Sequence, residues 1–202
     1  MSIPWATFVE HVESELATGE RRYIQLDESF ESEQALTTSI ALGLRQLYLS
    51  TYQVASPAGI YAHVVYRKGS DPEDRAAWTS ARDHKWTVLH GARFVPDILV
   101  RDLGSKDNVL PIEVKLIKSL ACSQDIATAI GQGLAYAVRY GRAIILVGVT
   151  RGLTKGRYGL DNLSPIGTLD EALHRRLENN GIRLIFREVG MLQENASLGL
   201  RE

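Results

Sequence analysis

The stretch "AIILVGV" at residues 143–149 holds seven consecutive residues with no polar side chain. A strand with one wet face alternates apolar and polar residues. An unbroken apolar run of this length belongs to a strand covered on both faces. The chain must therefore build a sheet and supply helices to lie against it.

The remaining patterns supply those parts. Trp5, Phe8, Val12 and Leu16 recur at helical spacing and predict a helix over 4–18. "RRYIQLDES" reads as an extended link. Ser29 is placed to cap a second helix running to about Tyr48, with Leu36, Ile40, Leu44 and Leu47 as its apolar face and Glu33 extending that face by one turn. Ser123 begins a third helix ending near Gly141, and a fourth spans 169–180 and stops at Gly181. Strands are expected over 59–68, over 86–102 with a break near Gly91, and over 109–118, 143–149 and 182–189. Residues 69–85 are polar and insertion-like, 103–108 form a turn, and "RGLTKGRYG" is a basic glycine-containing loop. The expectation is an α/β fold with a mixed central sheet flanked by helices, formed as a single domain over 1–202.

Length and charge narrow the partners. A chain of 202 residues can bury a sizeable core. Its net charge of −1 exerts no global pull on nucleic acid or membrane, so any nucleic-acid binding must use local basic patches or bound cations. Cys122 is the sole cysteine, which excludes an internal disulfide and fits a reducing cytosol. The acids in "MSIPWATFVEHVESELATGE" are unlike a signal peptide. No run approaches the ~18 apolar residues that span a bilayer. A cytoplasmic location without membrane attachment is expected. The sequence has no repeat, no CxxC pair, no P-loop and no GxGxxG.

Two strands then break the apolar rule. "FVPDILV" at 94–100 holds Asp97, and "LPIEVKLIK" at 110–118 holds Glu113 and Lys115. A short turn separates them, so an antiparallel hairpin is the natural pairing. Asp97 and Glu113 are each eight residues from Ser105, and a turn centred there sets them opposite one another. Opposed residues share a face, with side chains roughly 5 Å apart. Lys115 shares the face of Glu113 because strand side chains alternate. Two carboxylates this close repel when both are ionised, and a divalent cation resolves the repulsion. Mg²⁺ takes oxygen ligands, commonly one or two carboxylates completed by water and phosphate oxygens. Lysine does not ligate it but can hold a phosphate oxygen or position water. These are the parts of metal-assisted phosphodiester hydrolysis. The competing reading is an internal ion-pair triad, whose desolvation often cancels its gain.

Pro96-Asp97 followed by Glu113-Val114-Lys115 resembles the PD-(D/E)xK motif of restriction-endonuclease-like nucleases. Gln132 and Tyr136, four apart in "GQGLAYAVRY", resemble the QxxxY extension of RecB-like members. The resemblance covers about 29–150, leaving the N-terminal helix and the C-terminal helix and strand as additions. It implies a restriction-endonuclease-like core with a mixed four-stranded sheet. It implies that Asp97, Glu113 and the Val114 carbonyl ligate Mg²⁺ or Mn²⁺, and that Lys115 orients the attacking water or steadies charge at phosphorus. A further acid from the preceding helix is expected to be Glu33, with Glu31 as its rival. Gln132 would help hold the scissile strand, and Tyr136 would support it or touch the DNA backbone.

Other features are weaker. Arg151, Lys155 and Arg157 follow the 143–149 strand, and Lys118, Arg139 and Arg142 are candidates for the same phosphate-tracking patch. Arg75, Trp78, Arg82 and Lys85 lie in the 69–85 insertion, which reads as a DNA-contacting or dimer arm with Trp78 stacking on a base, or as a surface loop anchored by its tryptophan. His63, His84 and His90 lack metal-ligand spacing, and His63 and His90 read as strand residues. The "GQG" glycines lie inside a helix and permit close packing on the sheet. Cys122 has no evident role.

The expected activity is a Mg²⁺-dependent deoxyribonuclease acting endonucleolytically in defence or in recombination and repair. By resemblance its products carry 5′-phosphate and 3′-hydroxyl ends. Cutting both strands implies a homodimer, and any motor or further defence or repair subunit is a separate protein. The alternative is a catalytically silent DNA-binding or assembly subunit. An enzyme using the carboxylates as general acid and base would need a small-molecule pocket that no motif indicates.

Overall fold

The computed structural model describes residues 3–26, 28–54, 56–81, 86–105, 107–118, 123–150 and 167–190. Its elements run α1 (Trp5–Thr18), α2 (Glu33–Tyr52), α3 (Pro57–His63), β1 (Val64–Tyr66), α4 (Pro72–Ser80), β2 (Thr87–Leu89), β3 (Ala92–Phe94), β4 (Ile98–Arg101), β5 (Val109–Ile117), α5 (Ser123–Tyr140), β6 (Ala143–Thr150), α6 (Gly167–Asn179) and β7 (Ile182–Val189).

Five strands form one mixed sheet in the order β1-β4-β5-β6-β7. β4 is antiparallel to β1 and β5, whereas β5, β6 and β7 are parallel. Four strands therefore run one way and β4 alone runs against them. β6 lies inside the sheet, and all eight of its residues are buried. One face carries Ile112, Val114, Ile144 and Leu146 against α1 and α2, through Phe8, Val12, Leu36, Ile40 and Leu44. The other face carries Ile117, Ile145, Val147 and Leu184 against Ile126, Ala129 and Ile130 of α5 and Leu177 of α6. Each such leucine or isoleucine contributes about 1.5–3 kcal/mol when fully buried. Two glycines let neighbouring side chains approach closely. A Cβ at Gly148 would lie 2.7 Å from Leu36 of α2, and one at Gly133 would lie 2.7 Å from Ile145. The other glycine of "GQG", Gly131, has open space around it and makes no such approach.

Several sequence expectations need correction. Residues 59–68 are not one strand: 57–63 form α3 and only Val64–Tyr66 pair in the sheet. Pro57 stands at the helix start, where its fixed φ favours the first turn, and the β-branched pair Val64-Val65 then returns the chain to strand. His63 accordingly ends α3, where it stacks on Tyr48 at 4.3 Å. His90 is not a strand residue either. It and Gly91, at φ 49° and 82°, form the turn of the β2–β3 hairpin. The cap of α2 is Ser32, whose hydroxyl accepts from the Ala35 N–H at 3.1 Å, and not Ser29. "RRYIQLDES" is not extended throughout. It bends at Arg22, φ 59°, and wraps the buried Glu15 carboxylate, which accepts from the backbone N–H groups of Arg21, Tyr23 and Ile24 at 2.6–2.9 Å.

The 69–85 insertion contains a packed helix and not a free arm. Pro72 opens α4, and the Asp71 side chain caps it through the Asp74 N–H at 2.7 Å. Asp74, fully buried, pairs with buried Arg45 of α2 at 2.6 Å and accepts from the Tyr66 hydroxyl at 2.6 Å. Trp78 is half-buried against Val65, Ala77 and Leu99, so its ring is used in packing. Arg75 is exposed on α4. His84, Arg82, Lys85, Cys122, Arg151, Lys155 and Arg157 lie outside the described residues.

Candidate active site

The β4–β5 register pairs Ile98 with Ile112 and Arg101 with Val109. Extended by one residue, it sets Asp97 against Glu113. β4 starts at Ile98, so residues 113–117 of β5 run on beyond its end. Asp97 occupies this open margin. Its Oδ2 accepts from the Val114 N–H at 3.0 Å. In an extended strand the N–H and C=O of one residue leave on the same side, so the Val114 carbonyl also faces the margin.

Glu113 is buried, and both its oxygens are engaged. Lys115 Nζ donates to Oε1 at 2.8 Å, and the Tyr136 hydroxyl of α5 donates to Oε2 at 3.1 Å. Glu33, in the first turn of α2, lies across the margin and reaches Lys115 Nζ at 3.5 Å. Serine capping and the tight seat of Leu36 on Gly148 fix that first turn over the end of the sheet. Glu33 and not Glu31 makes this contact; Glu31 offers its backbone carbonyl to Lys118.

The carboxylates are electrostatically frustrated. Burial, then the neighbouring Asp97 charge, push the Glu113 carboxyl up to about 7, against the pull of Lys115 and Tyr136. Burial likewise raises Asp97, offset in part by the Val114 N–H, Lys115, Arg67 and Lys68. Burial alone would lower Lys115, but Glu113, Glu33 and Asp97 outweigh it and raise the ammonium. Burial and the Glu113 charge push the Tyr136 hydroxyl up.

Gln132 stands one turn before Tyr136 on α5, half-buried, and its Oε1 is buried without a hydrogen-bond partner. The hydrogen bonds to Asp97 and Glu113 come from Val114, Lys115 and Tyr136 and not from Gln132. The basic patch drawn from the sequence divides. Lys118 directly follows β5, beside the end of β6. Arg139 and Arg142 precede β6 at the other end of the strand, where Arg142 pairs with Glu13 at 2.8 Å. A cavity of about 320 Å³ also lies at that far end, lined by Glu13, Arg142, Glu178 and Arg183. It shares no residue with the carboxylate site.

The arrangement fits a hard cation of modest demand. Among the described residues no group of three or more His, Cys, Asp or Glu side chains gathers to hold a metal, and Lys115 pairs with both Glu33 and Glu113. Two carboxylates and one carbonyl remain, all oxygen donors. That set suits Mg²⁺ or Mn²⁺, which retain water and take phosphate oxygens, and does not suit an ion needing an all-protein cage. The site lies just past the end of β1 and at mid-strand in β5, where Glu113 is level with Ile145 and Lys115 with Val147 of β6. Sequence reading passed over Arg67 and Lys68, which follow β1 beside Asp97. A basic pair directly after a strand was the available signal.

No family model, no curated protein and no solved structure matches this chain. Among the described residues no helix is long and apolar enough to cross a membrane.

Proposed function

We propose that this chain is a metal-dependent nuclease that hydrolyses phosphodiester bonds in DNA, on a restriction-endonuclease-like core. One observation carries the reading: a buried carboxylate, Glu113, and a half-buried one, Asp97, both with raised proton affinity, share a sheet margin with Lys115 and an outward backbone carbonyl. Asp97, Glu113 and the Val114 carbonyl would hold Mg²⁺ or Mn²⁺, which supplies Lewis acidity at a phosphate oxygen and a more acidic bound water. The chain's own residues do the rest. Tyr136 holds the Glu113 carboxylate in one orientation. Lys115, freed from Glu113, offers its ammonium to a phosphate oxygen or to the attacking water. Glu33 keeps that ammonium charged and close. The Gln132 amide oxygen, lacking a partner, can accept from a substrate or water N–H or O–H.

A second reading keeps one observation of its own. Lys115 already bridges Glu113 and Glu33, so an internal cation offsets part of the carboxylate charge as it stands. A catalytically silent DNA-binding or assembly subunit would retain that arrangement.

Pure protein incubated with Mg²⁺ or Mn²⁺ and linear, circular, single-stranded, flapped and four-way-junction DNA separates these readings. The nuclease cuts at least one substrate, and Asp97→Ala, Glu113→Ala and Lys115→Ala each abolish cutting while retaining cooperative unfolding. Cutting that persists undiminished in these variants overturns the assignment. DNA binding with no cutting on any substrate favours the silent subunit.

A further inference from the structure

We propose that Arg67 grips a backbone phosphate of the substrate next to the scissile bond, an inference that rests on the phosphodiesterase reading above. β1 pairs with β4 through Val64–Val100, Val65–Leu99 and Tyr66–Ile98. The Arg67 N–H donates to the Asp97 carbonyl at 2.8 Å and continues that register by one residue. Asp97 in turn stands opposite Glu113. Arg67, Asp97 and Glu113 thus form one cross-strand row. Directly opposed residues on antiparallel strands share a face, so the arginine stem leaves the sheet on the side of the carboxylates.

Exposure then divides the row. Glu113 is buried, Asp97 half-buried, and Arg67 exposed at the mouth. Among the described residues no ion pair engages the Arg67 guanidinium, whereas Lys115 is held between Glu113 and Glu33. Its charge still reaches inward, where it favours the ionised forms of Asp97 and Tyr136. A phosphate approaching two carboxylates is repelled unless a cation stands at the entrance, and a chain of net charge −1 gives no general attraction. A guanidinium with five donors in a planar fork holds two phosphate oxygens at once, which a lysine cannot do. Lys68 follows, its carbonyl held by Gln34 Nε2 at 3.2 Å, and adds an undirected charge to the same rim. The fold uses only the Arg67 backbone at this position, so the side chain can be changed without loosening the sheet.

Wild type, Arg67→Ala and Arg67→Lys are compared for Mg²⁺-dependent cleavage, and for binding of a fluorescent DNA duplex in Ca²⁺ across a salt series. Arg67→Ala is expected to raise KM and Kd by about tenfold, with a smaller fall in kcat. Its slope of log Kd against log salt becomes shallower by about one ion. Arg67→Lys restores the slope but not the affinity, and thermal unfolding is unchanged. Wild-type KM, Kd and salt slope in Arg67→Ala overturn the inference while leaving the nuclease reading intact. If the wild type cuts no DNA yet Arg67→Ala weakens binding and flattens the slope, the phosphate grip stands and the hydrolysis reading falls. If the wild type neither cuts nor binds, both fall.

Discussion

The Tyr136 hydroxyl on α5 donates to Glu113 Oε2 on β5 at 3.1 Å, and so ties the helix that follows the hairpin to the carboxylate at its centre. This bond favours the ionised form of Glu113 against burial and against Asp97. Tyr136→Phe removes that support and makes protonation easier. The acid limb of the kcat/KM profile is expected to move to higher pH by about one to two units, the worth of one hydrogen bond to a charged group. A pH–rate series on the two proteins reads this directly. An unmoved or acid-shifted limb contradicts it.

Glu113 also links stability to pH. Its folded-state affinity for a proton is raised, to about 7 from the ordinary 4.5, so its contribution is fully present below 4.5 and is lost as pH rises through 7. The loss amounts to roughly 3 kcal/mol at most. Melting temperature should therefore fall between pH 4.5 and 7 in the wild type and fall less in Glu113→Gln. A cation that neutralises the ionised pair should stabilise the protein more at pH 8 than at pH 5. Thermal melts with and without Mn²⁺ at both pH values test both signs.

Lys115 occupies the place of a counter-ion. Lys115→Met leaves Asp97 and Glu113 without their internal cation, so divalent cations should bind more tightly even as cleavage is lost. Calorimetric titration with Mn²⁺, run beside a cleavage assay, separates the two effects. Weaker Mn²⁺ binding in Lys115→Met would show that the lysine helps assemble the cation site and does not compete with it.

Asp74 holds α4 in place through Arg45 and Tyr66. Asp74→Ala leaves the buried Arg45 guanidinium without its carboxylate and the Tyr66 hydroxyl without its acceptor. Denaturant unfolding should show a loss of about 3–5 kcal/mol. Replacing both partners, Arg45→Met with Asp74→Leu, should be much milder because no charge is stranded.

Much of the scaffold was legible because it follows from periodicity. The apolar stripes of α1 and α2 and the unbroken run of β6 each require burial, and burial is where most of these residues were found. The hairpin register was legible from turn length alone. Misreadings fell where two local signals competed: apolar "GIYA" follows Pro57 and is helical, and two serines stood within reach of the α2 start. The insertion defied local reading because Asp74 is charged, and only Arg45, distant in sequence, makes its burial tolerable.

The one-dimensional order of residues determined that a sheet covered on both faces would form, and that Asp97, Glu113 and Lys115 would fall on neighbouring strand positions. Alternation and short-turn geometry are local properties, carried by adjacent residues. Only the tertiary structure decided that β4 stops short of β5, that Glu33 and Tyr136 arrive from helices on opposite faces, and that Arg67 completes the row. Those contacts depend on where separate elements end in space, which packing sets and no local pattern encodes.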